Sequence, residues 1–168
     1  MRLVAFALAG LLMACGDEQA ARDERPAEAL VIDDQEGAVC GMVVRDQSAP
    51  RAQVVHRDGH RSFLCSIGDL LAYLDVPSPH GAPEAVLVEV MDPSEDPMET
   101  HLGEHAWVPA GDAIYVVGIP RRGIMGKPVL VYQSEEEAAQ VMVGTEARAL
   151  RFAELEDWWH GLEAREHP

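Results

Sequence analysis

Cys40 and Met42 stand either side of a single glycine in the run Val39-Cys40-Gly41-Met42-Val43-Val44. A thiolate and a thioether are soft donors, and a pair of them selects Cu(I) over hard cations such as magnesium or calcium. If the chain enters a strand after Gly41, residues i and i+2 share one face, so both sulfurs would meet the same ion. Gly41 has no Cβ and lets the backbone bend toward a metal. A cysteine and a methionine in an apolar strand are also ordinary core fillers, so the spacing by itself leaves both roles open.

The elements that must hold these sulfurs can be read from periodicity. Residues 41–45 and 52–57 read as strands, the second followed by the turn signal Asp58-Gly59, and residues 61–65 as a returning strand. Ser66 then reads as a helix N-cap, and Ile67, Leu70, Leu71 and Leu74 follow at i, i+3, i+4 and i+7. Pro77, Pro79, Gly81 and Pro83 break the chain before a strand at 85–91 that buries Val86, Val88 and Val90.

The order then repeats. Residues 113–118 read as a strand, 121–126 as a connection and 129–133 as a strand. Ser134 caps a helix with Glu137 in capping-box position, and 147–152 reads as a closing strand. The pattern predicts an α+β protein of two similar small β-β-α-β halves, the first at 39–105 with an acidic linker and the second at 106–168 with a terminal helix. The linker holds Asp92, Glu95, Asp96, Met98, Glu99, His101, Glu104 and His105 without any fixed ligand spacing, which favours a solvated loop over a metal loop. In the terminal helix Leu155, Trp158, Trp159 and Leu162 fall at helical spacing and are expected to pack on the core, with a partner-binding face as the alternative.

Of the 168 residues 48% are hydrophobic and 25% charged, an ordinary globular composition. The formal charge of -16, from 29 acidic against 13 basic residues, argues against a nucleic-acid partner. Met1-Arg2 followed by an apolar run to Met13 and by Ala14-Cys15 reads as a secretion signal over 1–14, too short to span a bilayer. Leu12-Met13-Ala14-Cys15 resembles the lipobox of bacterial lipoproteins, which makes Cys15 the lipidated first residue and gives the chain a membrane anchor. Residues 15–38, rich in Glu, Asp, Ala and Arg between 17 and 29, are expected to form a flexible tether. Export also permits a Cys40–Cys65 disulfide, the alternative to a metal-ligating Cys40.

Taken together, the lipoprotein signal, Cys40-Gly41-Met42 with its β-branched pair, Ala113-Ile114-Tyr115-Val116-Val117-Gly118 and Met125-Gly126-Lys127-Pro128-Val129-Leu130-Val131 resemble the NosL family from about residue 39 to 152. The resemblance implies an exported, lipid-anchored copper(I) chaperone on the periplasmic side of a bacterial membrane. It also implies a fold of two small α+β halves, an acceptor apo-protein in nitrous-oxide reductase or its assembly machinery, and no catalysis. The family's C-x-M pair falls on Cys40 and Met42 and the methionine of its M-G segment on Met125, so the ion would have one thiolate and two thioethers with a position left open for hand-over. No further cysteine stands in the segment before Cys40, and Lys127 puts a positive charge beside Met125. The resemblance assigns Cys65 no role; His56 and His60, flanking the Asp58-Gly59 turn, are expected to be exposed and uninvolved, with closure of the coordination shell as the alternative. Two rivals are a metal-sequestering lipoprotein without a delivery target and an enzyme resembling the alkylmercury lyase fold. The enzyme would use Cys40, Cys65 and Asp69, but the methionine pairing does nothing for protonolysis.

Overall fold

The computed structural model describes residues 27–121 and 127–166. Two antiparallel sheets organise the chain. β1 (Ala52–His56) and β2 (Arg61–Leu64) form a hairpin, α1 (Ile67–Leu74) follows, and β3 (Pro83–Glu89) returns on the other side of β1. β4 (Trp107–Pro109) then pairs with β3, giving the order β2-β1-β3-β4. The second sheet repeats the plan: β5 (Ile114–Val117) pairs with β6 (Val129–Tyr132), α2 (Glu135–Met142) follows, and β7 (Arg148–Leu150) returns beside β5. Its order is β6-β5-β7, and the chain closes with α3 (Phe152–Glu166). This is the expected α+β architecture. Among the described residues no helix is long and apolar enough to cross a membrane.

Side-chain burial explains why these elements stay together. One cluster draws Ala52, Val54, Leu64, Leu70 and Val88 from the first sheet and its helix, and Tyr115, Val117, Val131 and Leu155 from the second sheet and α3. Each large apolar side chain taken out of water contributes roughly 1.5–3 kcal/mol. The two sheets thus share a core, and Met91 N–H donates to the Val131 carbonyl to join them through the backbone as well. Trp158 and Trp159 pack against this cluster, as their helical spacing predicts. Arg51 and Glu89 pair beneath the sheet with both side chains almost fully buried.

Four expectations change. Residues 41–45 are not a strand: Gly41 takes φ +68°, and Val44–Asp46 wind into a 3-10 turn. The 15–38 tether does not run free up to Cys40. From Glu28 onward it lies on the first sheet, with Arg61 bonding the Glu28 carbonyl and the Gln53 amide bonding both backbone groups of Leu30. The closing strand ends at Leu150, because Phe152 already opens α3. β4 also carries the first sheet past residue 106, into the stretch assigned by sequence to the second half. With three residues ending in proline, it offers no periodicity to read.

Candidate metal centre

The centre forms where the chain ahead of β1 folds back onto the end of β2. Ala38 N–H donates to the Phe63 carbonyl, Gly37 bridges Phe63, and Glu36 bridges Val43. Within that frame Gly37 N–H donates to the Met42 carbonyl at 2.7 Å and Gly41 N–H to the Gly37 carbonyl at 2.8 Å, so residues 37–42 close into a tight loop. The left-handed conformation of Gly41 turns the chain between the two sulfur residues, which glycine adopts without steric cost. Cys40 and Met42 do pack into one small cluster, with Val44, Phe63 and Cys65. A turn, not the pleat of a strand, brings them there.

Cys65 enters from the other side. It is the residue just before Ser66, whose hydroxyl caps α1 by accepting from Asp69 N–H. The Cys40 and Cys65 sulfurs lie 3.0 Å apart, both as free thiols. Cys40 is half-buried and Cys65 buried, and the Cys65 thiol also donates to the Met42 carbonyl at 3.7 Å. Burial first, and the contact with Cys40 second, push the Cys65 thiol well above its ordinary range. Loss of water outweighs the favourable field of the helix N-terminus for an anion there.

Asp69 completes the group. Its ligand oxygen and the two sulfurs lie within 4.8 Å of one another, and this is the one His/Cys/Asp/Glu group of metal-holding geometry among the described residues. Asp69 Oδ2 is buried without a hydrogen-bond partner. An unpartnered buried carboxylate oxygen costs about 1–3 kcal/mol or more, and a cation or a proton is what relieves it. Two thiols and a carboxyl beside a thioether-bearing residue suit a soft monovalent metal: the thiolates supply charge and covalency, the carboxylate further charge. Binding must displace protons from the thiols.

Of the residues singled out by sequence, the structure brings together Cys40, Met42, Cys65 and Asp69. Met125 and Cys15 lie outside the described residues, as does the signal segment. His56 does not belong to the centre: it is buried, with Nδ1 on the Gly81 carbonyl and Nε2 on the Tyr73 hydroxyl. His60 stacks on His80 at 3.5 Å between ring centroids. The linker at 92–105 is less free than expected, since His105 is wedged between Glu89 and Glu95. What the sequence did not mark as ligands is the Cys65 and Asp69 pair. Its available signal was position: Cys65 directly precedes a helix cap, and Asp69 takes the third helical position.

Gly37 shows how tight the centre is. A Cβ built there would stand 2.5 Å from the Cys65 sulfur and 2.8 Å from the Cys40 sulfur. Its φ is not in the left-handed range, so the room, and not the backbone, is what demands glycine.

The family model described as NosL matches residues 29–159. A relative named copper-binding lipoprotein NosL, from Stutzerimonas stutzeri, is 30% identical over 156 residues, covering 92% of this chain and 76% of its own. One of the same name from Achromobacter cycloclastes is 31% identical over 161 residues, covering 92% of this chain and 79% of its own. The crystal structure of the copper chaperone NosL from Shewanella denitrificans superposes with a TM-score of 0.62 at 23% identity, covering 77% of this chain and 96% of that one. At that identity the superposition supports the fold.

Proposed function

Since the chain belongs to the NosL family, we propose that it is an exported, lipid-anchored copper(I) chaperone. The observation that carries the proposal is the 3.0 Å approach of Cys40 and Cys65 with Met42 packed beside them. The names of its relatives, copper-binding lipoproteins, point the same way. Cys40, Met42 and Met125 hold the ion, Cys65 lies within reach as a second thiolate, and Asp69 balances charge. Cys15 carries the lipid, which fixes the fold to the outer surface of a bacterial inner membrane or the periplasmic face of an outer one.

Hand-over proceeds by ligand exchange. Cu(I) held on the half-buried Cys40 meets sulfur or imidazole donors of an acceptor, and one bond forms as another breaks, so the ion stays coordinated throughout. The anionic sulfur dominates affinity, since it bonds and neutralises the cation, whereas a thioether only polarises toward it. The acceptor is apo nitrous-oxide reductase or its assembly machinery. No step of this needs catalysis by the chain itself.

An anaerobic Cu(I) competition titration tests the proposal on the wild type, Cys40→Ser, Met42→Leu and Met125→Leu. A stoichiometric site that collapses in the Cys40 variant and weakens in both methionine variants is expected. Uptake of no Cu(I) by the reduced wild type, or equal binding by all variants, rejects it. Transfer to apo nitrous-oxide reductase, but not to an unrelated copper enzyme, separates a chaperone from a sequestering protein.

A further inference from the structure

We propose that Cys40 and Cys65 form a reversible redox gate: as thiols they admit Cu(I), and as a disulfide they exclude it. The inference rests on the copper(I) function proposed above. The two sulfurs stand 3.0 Å apart without being bonded, against about 2.04 Å in a disulfide, so closing the bond needs roughly 1 Å of movement. The backbone frame that pins Ala38 to Phe63 holds both cysteine-bearing segments in register. At Gly37, the position facing both sulfurs, any side chain would stand within 2.8 Å of each, so the pair can meet because nothing projects between them.

The exposures set the order of events. Cys40 is half-buried and open to attack, while Cys65 is 4% exposed. A disulfide, from a protein oxidant or a small molecule, is the oxidant. The Cys40 thiolate attacks one of its sulfurs and expels a thiolate, which takes up the proton that Cys40 lost. Cys65 then gives up its proton and attacks the Cys40 sulfur, expelling the second external thiol. Two protein thiols and one external disulfide become one internal disulfide and two external thiols, with two electrons passing to the oxidant. The sulfurs so joined are no longer anionic and cannot hold Cu(I) as thiolates. By linkage, bound Cu(I) protects the pair from oxidation to the same degree that oxidation excludes Cu(I).

The test uses the full chain in detergent. The metal-free protein is equilibrated with oxidised glutathione, alkylated, and mapped peptide by peptide so that Cys15 is read separately. Expected are a Cys40–Cys65 cross-link, loss of stoichiometric Cu(I) uptake, recovery of uptake on reduction, and, when Cu(I) is bound before the oxidant and stripped with a chelator before alkylation, thiols that still alkylate. Cys65→Ser should stop at a glutathione adduct on Cys40, and Cys40→Ser, altered at the more exposed sulfur, should give no cross-link. Cu(I) uptake by the reduced protein without any cross-link on oxidation overturns the gate alone. A cross-linked chain that still takes up Cu(I) like the reduced one overturns it too. A reduced protein that takes up no Cu(I), yet cross-links, overturns the copper function and leaves the pair a structural bridge.

Discussion

The entrances to α1 and α2 are built to one plan and put to different use. Each helix follows a hairpin strand, and in each a serine hydroxyl accepts from the N–H three residues on, Ser66 from Asp69 and Ser134 from Glu137. At α2 the Glu137 carboxylate reaches back past the cap and accepts from Gln133 N–H. At α1 the matching positions hold Asp69 and Cys65. Asp69 leaves one oxygen buried and unpartnered, and a carboxylate oxygen of the same side chain lies within 4.8 Å of both sulfurs. The same frame thus engages its carboxylate at the α2 entrance and leaves a carboxylate oxygen unpartnered at the α1 entrance. On the function proposed above, the binding site is a stability device left incomplete.

Replacing a proposed ligand breaks that difference most directly. Cys40→Ser should weaken Cu(I) binding in competition titrations by more than the roughly 100-fold that bounds a supporting residue, with little change in the melting of the metal-free protein. Gly37→Ala comes next: its methyl must push the two sulfurs apart, at a cost of about 1–3 kcal/mol in denaturant unfolding together with weaker Cu(I) binding. Gly111→Ala, where an added Cβ meets nothing within 4 Å, should stay within about 0.5 kcal/mol. Ser66→Ala and Ser134→Ala should each destabilise the fold by about 1 kcal/mol, but only the first should also lower Cu(I) affinity. Equal effects on Cu(I) would mean that the α1 entrance has no special role.

The smallest effect is expected in the second half, at Tyr132, whose hydroxyl is buried without a partner. Burial pushes its phenol up to about 12 from the ordinary 10.0. The unfolded chain therefore releases this proton first, and the stability it contributes is intact below pH 10 and lost as pH rises toward 12. Tyr132→Phe should raise stability at neutral pH by about 1 kcal/mol or less and make the alkaline loss of thermal stability shallower. Tyr115, shifted in the same direction, should keep the remaining slope.

Much of this was open to reading before any coordinates. Apolar periodicity located α1 and its cap, and the order of strands and capped helices disclosed the repeated β-β-α-β plan, because local signals of helix entry and pleat alternation live in neighbouring residues. Cys40 and Met42 were marked by their chemistry. The reason for their meeting was not, since a left-handed Gly41 and a loop closed by Gly37 depend on backbone bonds to β2 that no local pattern reports. β4 was invisible for the same reason: three residues have no period, and only pairing with β3 makes them a strand.

The sequence by itself determined the composition class, both serine-capped helices, the repeat and the soft-sulfur pair, all of which follow from residue type and spacing within about ten positions. Only the tertiary structure decided that Cys65 and Asp69 join Cys40. They are separated by 25 and 29 positions along the chain, and what sets their distance is the clip of the 36–43 segment onto β2, a choice made by backbone hydrogen bonds and the shared core.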